Sequence, residues 1–291
     1  MKMRALANTG LELSSIGLGE MPLSLSTRPS EEHALSVIRG AMEAGMTWID
    51  TADVYCADHR DIGHGERLAA KALKEIGDDG KGIVVATKGG LERPNGDWVC
   101  NGQPSHLRKA CEASLRALEV DCLTWYQLHA PDEKVPFSDS VGELSRLKEE
   151  GKIQHLGLSN VRVSEIELAR EITEIISVQN RCNPFDRNSF DNGVVSYCHQ
   201  ENIAFLAHSP VGGHHGHVRT PEDPALSAVA QRMNISAYQV CLAWLLALSP
   251  VIFPIPGASR LESARSSASA ADIELGDIDL AELNLAFPVR V

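Results

Sequence analysis

Eight times along the chain a compact apolar stretch is followed by one with helical spacing, and this recurrence constrains the fold more than any other feature. The apolar stretches are LSSIGLG (13–19), MTWID (46–50), GIVVATK (82–88), CLTWYQLH (122–129), IQHLGLS (153–159), IISVQN (175–180), IAFLAHS (203–209) and VIFPIPG (251–257). Between them lie helical patterns such as 28–45, where Ser30 is placed to cap the first turn, Ala34, Val37, Ile38 and Ala41 share a face, and Gly45 follows the last turn. Helices are also expected to open at Ser105 and to close at Gly151. Most of the apolar stretches do not alternate with polar residues, as expected of strands buried on both faces of a parallel sheet.

Eight such units within 291 residues, with no Pro/Gly/Ser-rich linker between halves, predict one closed (β/α)₈ barrel spanning 1–291 as a single domain. A doubly wound nucleotide-binding sheet is the competing fold. It would place Gly-x-Gly-x-x-Gly after the first strand, whereas GLGEMPL supplies only Gly17 and Gly19.

Composition narrows the function. A formal net charge of −12 argues against nucleic acid or an anionic membrane as the main partner. The apolar run VCLAWLLAL (240–248) is well short of the ~20 residues that span a bilayer. The N-terminus shows no signal-peptide pattern, and seven cysteines without a Cys-x-x-Cys pair read as reduced thiols of a cytoplasmic protein.

Barrel active sites gather at the carboxyl ends of the strands. Those ends carry Asp50, Lys88, His129, Ser159–Asn160, Gln179–Asn180 and His208–Ser209. Asp50 closes an apolar strand, where an unpaired carboxylate is costly. Paired with Lys88, and with Lys88 against Tyr55, it would satisfy all three groups; the ammonium would stabilise a phenolate and lower the phenol's pKa. His129 would orient a carbonyl oxygen. Taken singly, Asp50 could be a helix cap, Lys88 a solvated lysine and Tyr55 a loop aromatic. The run GGHHGH (212–217) invites a zinc reading, but no cysteine or carboxylate stands at ligand spacing, so a mobile surface loop is favoured and no metal is expected. Cys56 reads as a wall residue, because no base is placed to activate it.

The chain resembles the aldo-keto reductase family. The resemblance is carried by WIDTADVY (48–55), GHGERLAAKAL (63–73), VVATKGG (84–90), SLRALEVDCLTWYQLHAPD (114–132), EEGKIQHLGLSN (149–160), SVQN (177–180), AFLAHSPVGG (204–213) and PIPGAS (254–259), colinear over nearly the whole chain. It implies a TIM barrel that reduces carbonyls, or oxidises alcohols or sugars, with a catalytic tetrad of Asp50, Tyr55, Lys88 and His129. It also implies NADP(H), or less favourably NAD(H), lying across the mouth. Ser159, Asn160 and Gln179 then match the nicotinamide carboxamide site, with Gly19, Met21 and Asp50 nearby. Ser209, Pro210, Val211 and Gly212 match the pyrophosphate loop, and Gly257, Ala258, Ser259 and Arg260 the adenosine end.

The chain departs from the family pattern in two places. Where an aromatic usually stacks on the nicotinamide stands His208, an imidazole expected to titrate near its ordinary value of roughly 6.5. At the 2′-phosphate segment the common Lys is Gly257, and the usual Arg and Asn are Ser263 and Ser267, leaving Arg260 and Arg265 as phosphate partners. A non-catalytic, nucleotide-sensing regulatory subunit of the family is the alternative reading. A (β/α)₈ hydrolase would need paired carboxylates or a metal cluster, and neither stands out. The natural substrate and the oligomeric state stay open; specificity is expected from loops 56–65, 91–103 and 187–193, with Trp98 and Phe190 as possible walls or core residues.

Overall fold

The structure, a computed structural model, describes residues 1–289, except for the side chains of His214 and His215. Eight parallel strands form the barrel in chain order: β1 (Leu18–Gly19), β2 (Trp48–Asp50), β3 (Val84–Gly89), β4 (Leu123–Leu128), β5 (Ile153–Ser159), β6 (Ser177–Arg181), β7 (Ala204–His208) and β8 (Ile252–Ile255). The seam between β8 and β1 is drawn together by Gly17 N–H to Pro254 O at 3.1 Å and Gly19 N–H to Pro256 O at 3.0 Å. Both glycines are needed there. A Cβ on Gly19 would lie 2.9 Å from Ile255 O, and one on Gly17 would lie 2.3 Å from the Trp48 indole. The two glycines that resemble a fragment of a dinucleotide-binding turn thus serve barrel closure.

Side chains alternate across each strand, which explains how apolar strands can carry a polar mouth. The lower interior is filled by Trp48, Ala86, Trp125, Leu206 and Phe253, with the two indoles stacked 5.5 Å apart. Leu6 and Leu13 join this cluster from the N-terminal hairpin (Met3–Ala5 with Glu12–Ser14) and close the bottom. One step up each strand, on the same inward face, come Asp50, Lys88, Gln127 and Gln179. The outward set, including Ile49, Tyr126, Leu128, Leu156, Val178 and Phe205, packs on the helices.

The helices are α1 (Glu31–Glu43), α2 (His64–Ile76), α3 (Pro104–Leu118), α4 (Phe137–Glu149), α5 (Val163–Ile172), α6 (Val194–Gln200), α7 (Pro224–Met233), α8 (Ala237–Leu248), α9 (Leu261–Ser269) and α10 (Asp277–Ala286). Ser30 caps α1, and Gly45 and Gly151 take left-handed φ just past α1 and α4, as the spacing predicts. Ser105 does not cap α3: Pro104, with its φ already helical, takes the first turn and Gln103 the cap position. Stretch 13–19 is two strands rather than one, because Ser14 pairs with Met3 in the hairpin before the chain turns into the barrel. The run 240–248 belongs to α8, whose Val240–Leu245 are all buried. No helix among the described residues is long and apolar enough to cross a membrane.

Candidate active site

The pairing of β2 with β3 brings Asp50 and Lys88 together, and the loop after β2 returns Tyr55 to them. Lys88 Nζ donates to Asp50 Oδ1 at 2.6 Å, to Tyr55 Oη at 3.1 Å and to the Thr51 carbonyl at 2.9 Å. Lys88 is wholly buried and Asp50 nearly so. The second oxygen of Asp50 accepts from Gln179 Nε2 at 2.7 Å and Gln127 Nε2 at 3.3 Å. A buried ammonium is tolerable only with its donors used, and here all three are.

The titration behaviour follows from this packing. Burial alone would drive the proton off Lys88, but Asp50 and Tyr55 outweigh it and hold the ammonium above its ordinary value. Burial pushes the Tyr55 phenol up, against the downward pull of Lys88. This corrects the sequence-based expectation of a lowered phenol: the ammonium pulls as expected, but desolvation of the phenolate is the larger effect. Tyr55 is therefore held as a protonated donor. Burial, then Lys88 and His208, push His129 well below its ordinary value, so its ring is neutral.

His129 follows β4 with its ring 5.8 Å from that of Tyr55, and its buried Nδ1 has no hydrogen-bond partner among the described residues. Trp98, 46% exposed, stands edge-on to both rings at 6.2 and 6.3 Å, with the Arg93 guanidinium stacked 3.8 Å from its own. Trp98 thus walls the mouth, whereas Phe190 is buried in the core. Cys56 is buried too, and burial pushes its thiol up to about 11, which leaves it a wall rather than a nucleophile.

Beyond these residues lie the loops that follow β5, β6 and β7. Asn160 donates to the His129 carbonyl at 3.0 Å and Ser159 Oγ at 3.1 Å. Asn180 turns outward and brackets Val161 through its main chain at 2.8 and 3.1 Å, so it supports the loop. Asn160 and Ser209 both take left-handed backbone, with φ of 59° and 54°; asparagine adopts it readily, whereas for Ser209 it is the less usual conformation. His208 Nδ1 lies 3.2 Å from Ser209 Oγ. Burial, with Lys88 and Arg181 nearby, pushes His208 down to about 3, below the roughly 6.5 expected from the sequence.

The loop Ser209–Gly212 turns back through Gly212 N–H to Ser209 O at 3.0 Å, where a Cβ on Gly212 would lie 2.6 Å from Gly216 O. Residues 213–216 form one helical turn. The side chains of His214 and His215, on which the zinc reading turned, lie outside the described residues. Arg181 reaches this loop, its Nη2 3.4 Å from Gly212 O, and sequence reasoning passed over it.

At the far end Gly257 bridges to Gly19, with Met21 beside the Tyr55 cluster. Ala258 is buried, Ser259 accepts from His33 Nε2 at 2.9 Å, and Arg260 is exposed at the N-cap of α9 without a polar partner among the described residues. Arg265 is engaged elsewhere, 3.0 Å from Glu43 of α1, while Ser267 sits half-buried on α9.

The model of the Aldo/keto reductase family matches residues 15–286. The chain is 34% identical over 278 residues to an uncharacterised oxidoreductase of Schizosaccharomyces pombe, covering 94% of this chain and 86% of that one. It is similar to a thermostable aldo-keto reductase solved with the inhibitor epalrestat (26% identity, TM-score 0.83, covering 98% of this chain and 100% of the other). An aldo-keto reductase of Klebsiella pneumoniae solved with NADPH shares the fold at 22% identity, TM-score 0.82, covering 100% and 97%.

Proposed function

The chain belongs to the aldo/keto reductase family, and from that premise we propose that it is an NADP(H)-dependent oxidoreductase that reduces aldehyde and ketone carbonyls or oxidises the matching alcohols or sugars. The observation that carries this reading is the buried Lys88 ammonium shared between Asp50 and Tyr55.

The loops around the mouth suit an extended dinucleotide: Ser209–Gly212 is a short, tight turn, and the Asn160 and Gln179 amides stand at the Lys88 end of the mouth. Ser159, Asn160 and Gln179 would hold the carboxamide, His208 would stack, Ser209–Gly212 would cover the pyrophosphate, and Arg260 would meet the 2′-phosphate. The NADPH in the Klebsiella pneumoniae aldo-keto reductase, which shares the fold, supports a nicotinamide cofactor. When bound, the cofactor supplies or accepts the hydride.

The residues of the chain handle the proton. Tyr55, kept protonated by burial, donates its phenolic hydrogen to the carbonyl oxygen as charge develops there. Lys88 stabilises the phenolate left behind, and Asp50, fixed by Gln127 and Gln179, keeps Lys88 charged. Neutral His129 donates a hydrogen bond that orients the carbonyl without placing a second cation against Lys88. Trp98 would shape the substrate's approach.

The test is NADPH oxidation with a panel of aldehydes and ketones, beside NADP⁺ reduction with alcohols and sugars. Turnover in either direction supports the proposal. Tight nucleotide binding with no turnover on any substrate would instead favour a nucleotide-sensing regulatory subunit.

A further inference from the structure

Glu20, which the mechanism above does not use, follows β1 and is completely buried. One carboxyl oxygen takes the Ser24 hydroxyl and the other takes the Thr51 hydroxyl at 3.0 Å. The carbonyl of the same Thr51 accepts from Lys88 Nζ at 2.9 Å, so a single residue separates the carboxyl from the ammonium. On the other side Ser24 Oγ lies 2.8 Å from Nδ1 of half-buried His64, the first residue of α2. The first turn of α2 is shaped around the carboxyl: a Cβ at Gly65 would lie 2.3 Å from Glu20 Oε2 and 2.6 Å from Thr51 Oγ1.

Charge makes this placement unusual. Glu20, Asp50, Asp53 and Glu66 are all at most 3% exposed, and the ammonium among them is Lys88. Like charges sharing one buried site cannot all ionise. Asp50, in direct contact with Lys88, is the one best compensated. Glu20 touches no cation among the described residues, yet a hydroxyl and an imidazole connect it to the surface.

We propose that Glu20 is a positioning residue for the Lys88–Tyr55 pair, exchanging its proton with solvent through Ser24 and His64 and thereby setting how readily Tyr55 releases its own. The proposal rests on the reading of Tyr55 as the proton donor. In releasing its proton the carboxyl protonates Ser24 Oγ, the Ser24 hydroxyl proton passes to His64 Nδ1, and the imidazolium returns its Nε2 proton to water. The groups facing Glu20 are Ser24 on its own turn, Asp50 and Thr51 at the end of β2, and Lys88 from β3, with Tyr55 beyond Lys88. Around His64 stand Arg28, Asp61, Arg67 and Glu31. Burial pushes the Glu20 carboxyl up to about 7, against the pull of Ser24, Thr51 and Lys88, and Asp50 adds to the rise. Its ionised form raises the Tyr55 phenol further.

The test is the rate of NADPH-dependent reduction from about pH 5.5 to about 8.5 for the wild type, Glu20→Gln and Ser24→Ala. The wild-type rate should fall roughly threefold or more as pH rises through Glu20's titration, the size expected of one buried charge appearing near another. Glu20→Gln should remove that step. Ser24→Ala, which takes away a hydrogen bond to the carboxylate, should move it to higher pH.

A second readout does not depend on turnover. A carboxyl held at about 7 when folded and near 4.5 when unfolded binds more protons in the folded state between those values, so stability falls as pH rises across that window. The melting temperature of Glu20→Gln should therefore gain on that of the wild type across the same window. An active wild type whose step survives in Glu20→Gln, or does not move in Ser24→Ala, overturns this proposal alone. A wild type that reduces no carbonyl overturns the reading of Tyr55 and this proposal with it. Should Glu20→Gln not fold, Ser24→Ala carries the test, and an unmoved step is the contrary result.

Discussion

The two ends of the proposed cofactor site are built differently. Around Lys88 each polar atom is fixed by several partners: three acceptors for one ammonium, and two amides plus that ammonium for one carboxylate, all buried. Along 257–265 the polar side chains are exposed or half-buried and sparsely held: Arg265 has taken Glu43 as its partner, and Arg260 has none among the described residues. A buried, cross-linked cluster has one arrangement that satisfies its charges. An exposed segment has many of similar energy, so its role depends on what binds.

The largest effect should come from breaking the buried end. Lys88→Met leaves Asp50 as an uncompensated buried charge and should cost about 3–5 kcal/mol of stability, measured by denaturant unfolding. Adding Asp50→Asn should restore a good part of that loss, because the orphaned charge is gone. A Lys88→Met protein as stable as the wild type would show that the buried end is not held by this pair.

The exposed end should respond less, and in binding rather than stability. Arg260→Ala should narrow the preference for NADPH over NADH by about tenfold, the value of one charge-assisted hydrogen bond of ~1.5–3 kcal/mol. Arg265→Ala should change it less, since its guanidinium is turned to α1; its ion pair is exposed and contributes ~0–1 kcal/mol. Dissociation constants for both cofactors on both variants check this. Equal wild-type constants for NADPH and NADH would remove the phosphate role from this segment.

The smallest effect lies between the two ends. With His208 held down to about 3 by burial, the ratio of NADP⁺ to NADPH dissociation constants should show no step attributable to that imidazole from about pH 5.5 to about 8. His208→Tyr should tighten both forms by adding ring contact and leave the profile unchanged. Fluorescence titrations of both proteins decide it. A wild-type step near pH 6.5, lost in His208→Tyr, would mean the imidazole is more hydrated than its packing indicates.

The same contrast explains what could be read without coordinates. The barrel was legible because strands buried on both faces are continuously apolar, so each of β2 to β8 stands out from the helices around it. Asp50, Lys88 and His129 were legible because they end or follow such strands. Gln127 was not, although it lies on the same face as His129, because a polar residue inside an apolar strand reads as an interruption. Glu20 was passed over for another reason: GLGEMPL was weighed for its glycines, and a carboxyl buried by α2, forty-five positions on at Gly65, has no local signature. The direction of the Tyr55 shift was misjudged because sequence adjacency suggests the ammonium but not the depth of burial. Arg265 could be named as a cation, but its choice of Glu43 is made by the packing of α9 against α1.

The central claim is that Tyr55, set against Lys88, gives up the proton in carbonyl reduction. Its most direct test is Tyr55→Phe, assayed with NADPH and a reactive aldehyde beside an NADPH titration of the same protein. The ring keeps its place against Trp98 and His129 while the proton is lost. The account predicts a fall in turnover of ~10²–10⁴-fold, with the NADPH dissociation constant nearly unchanged. A variant that keeps more than about half of the wild-type turnover on every active aldehyde would contradict it, since so small a loss is far below what a general acid contributes.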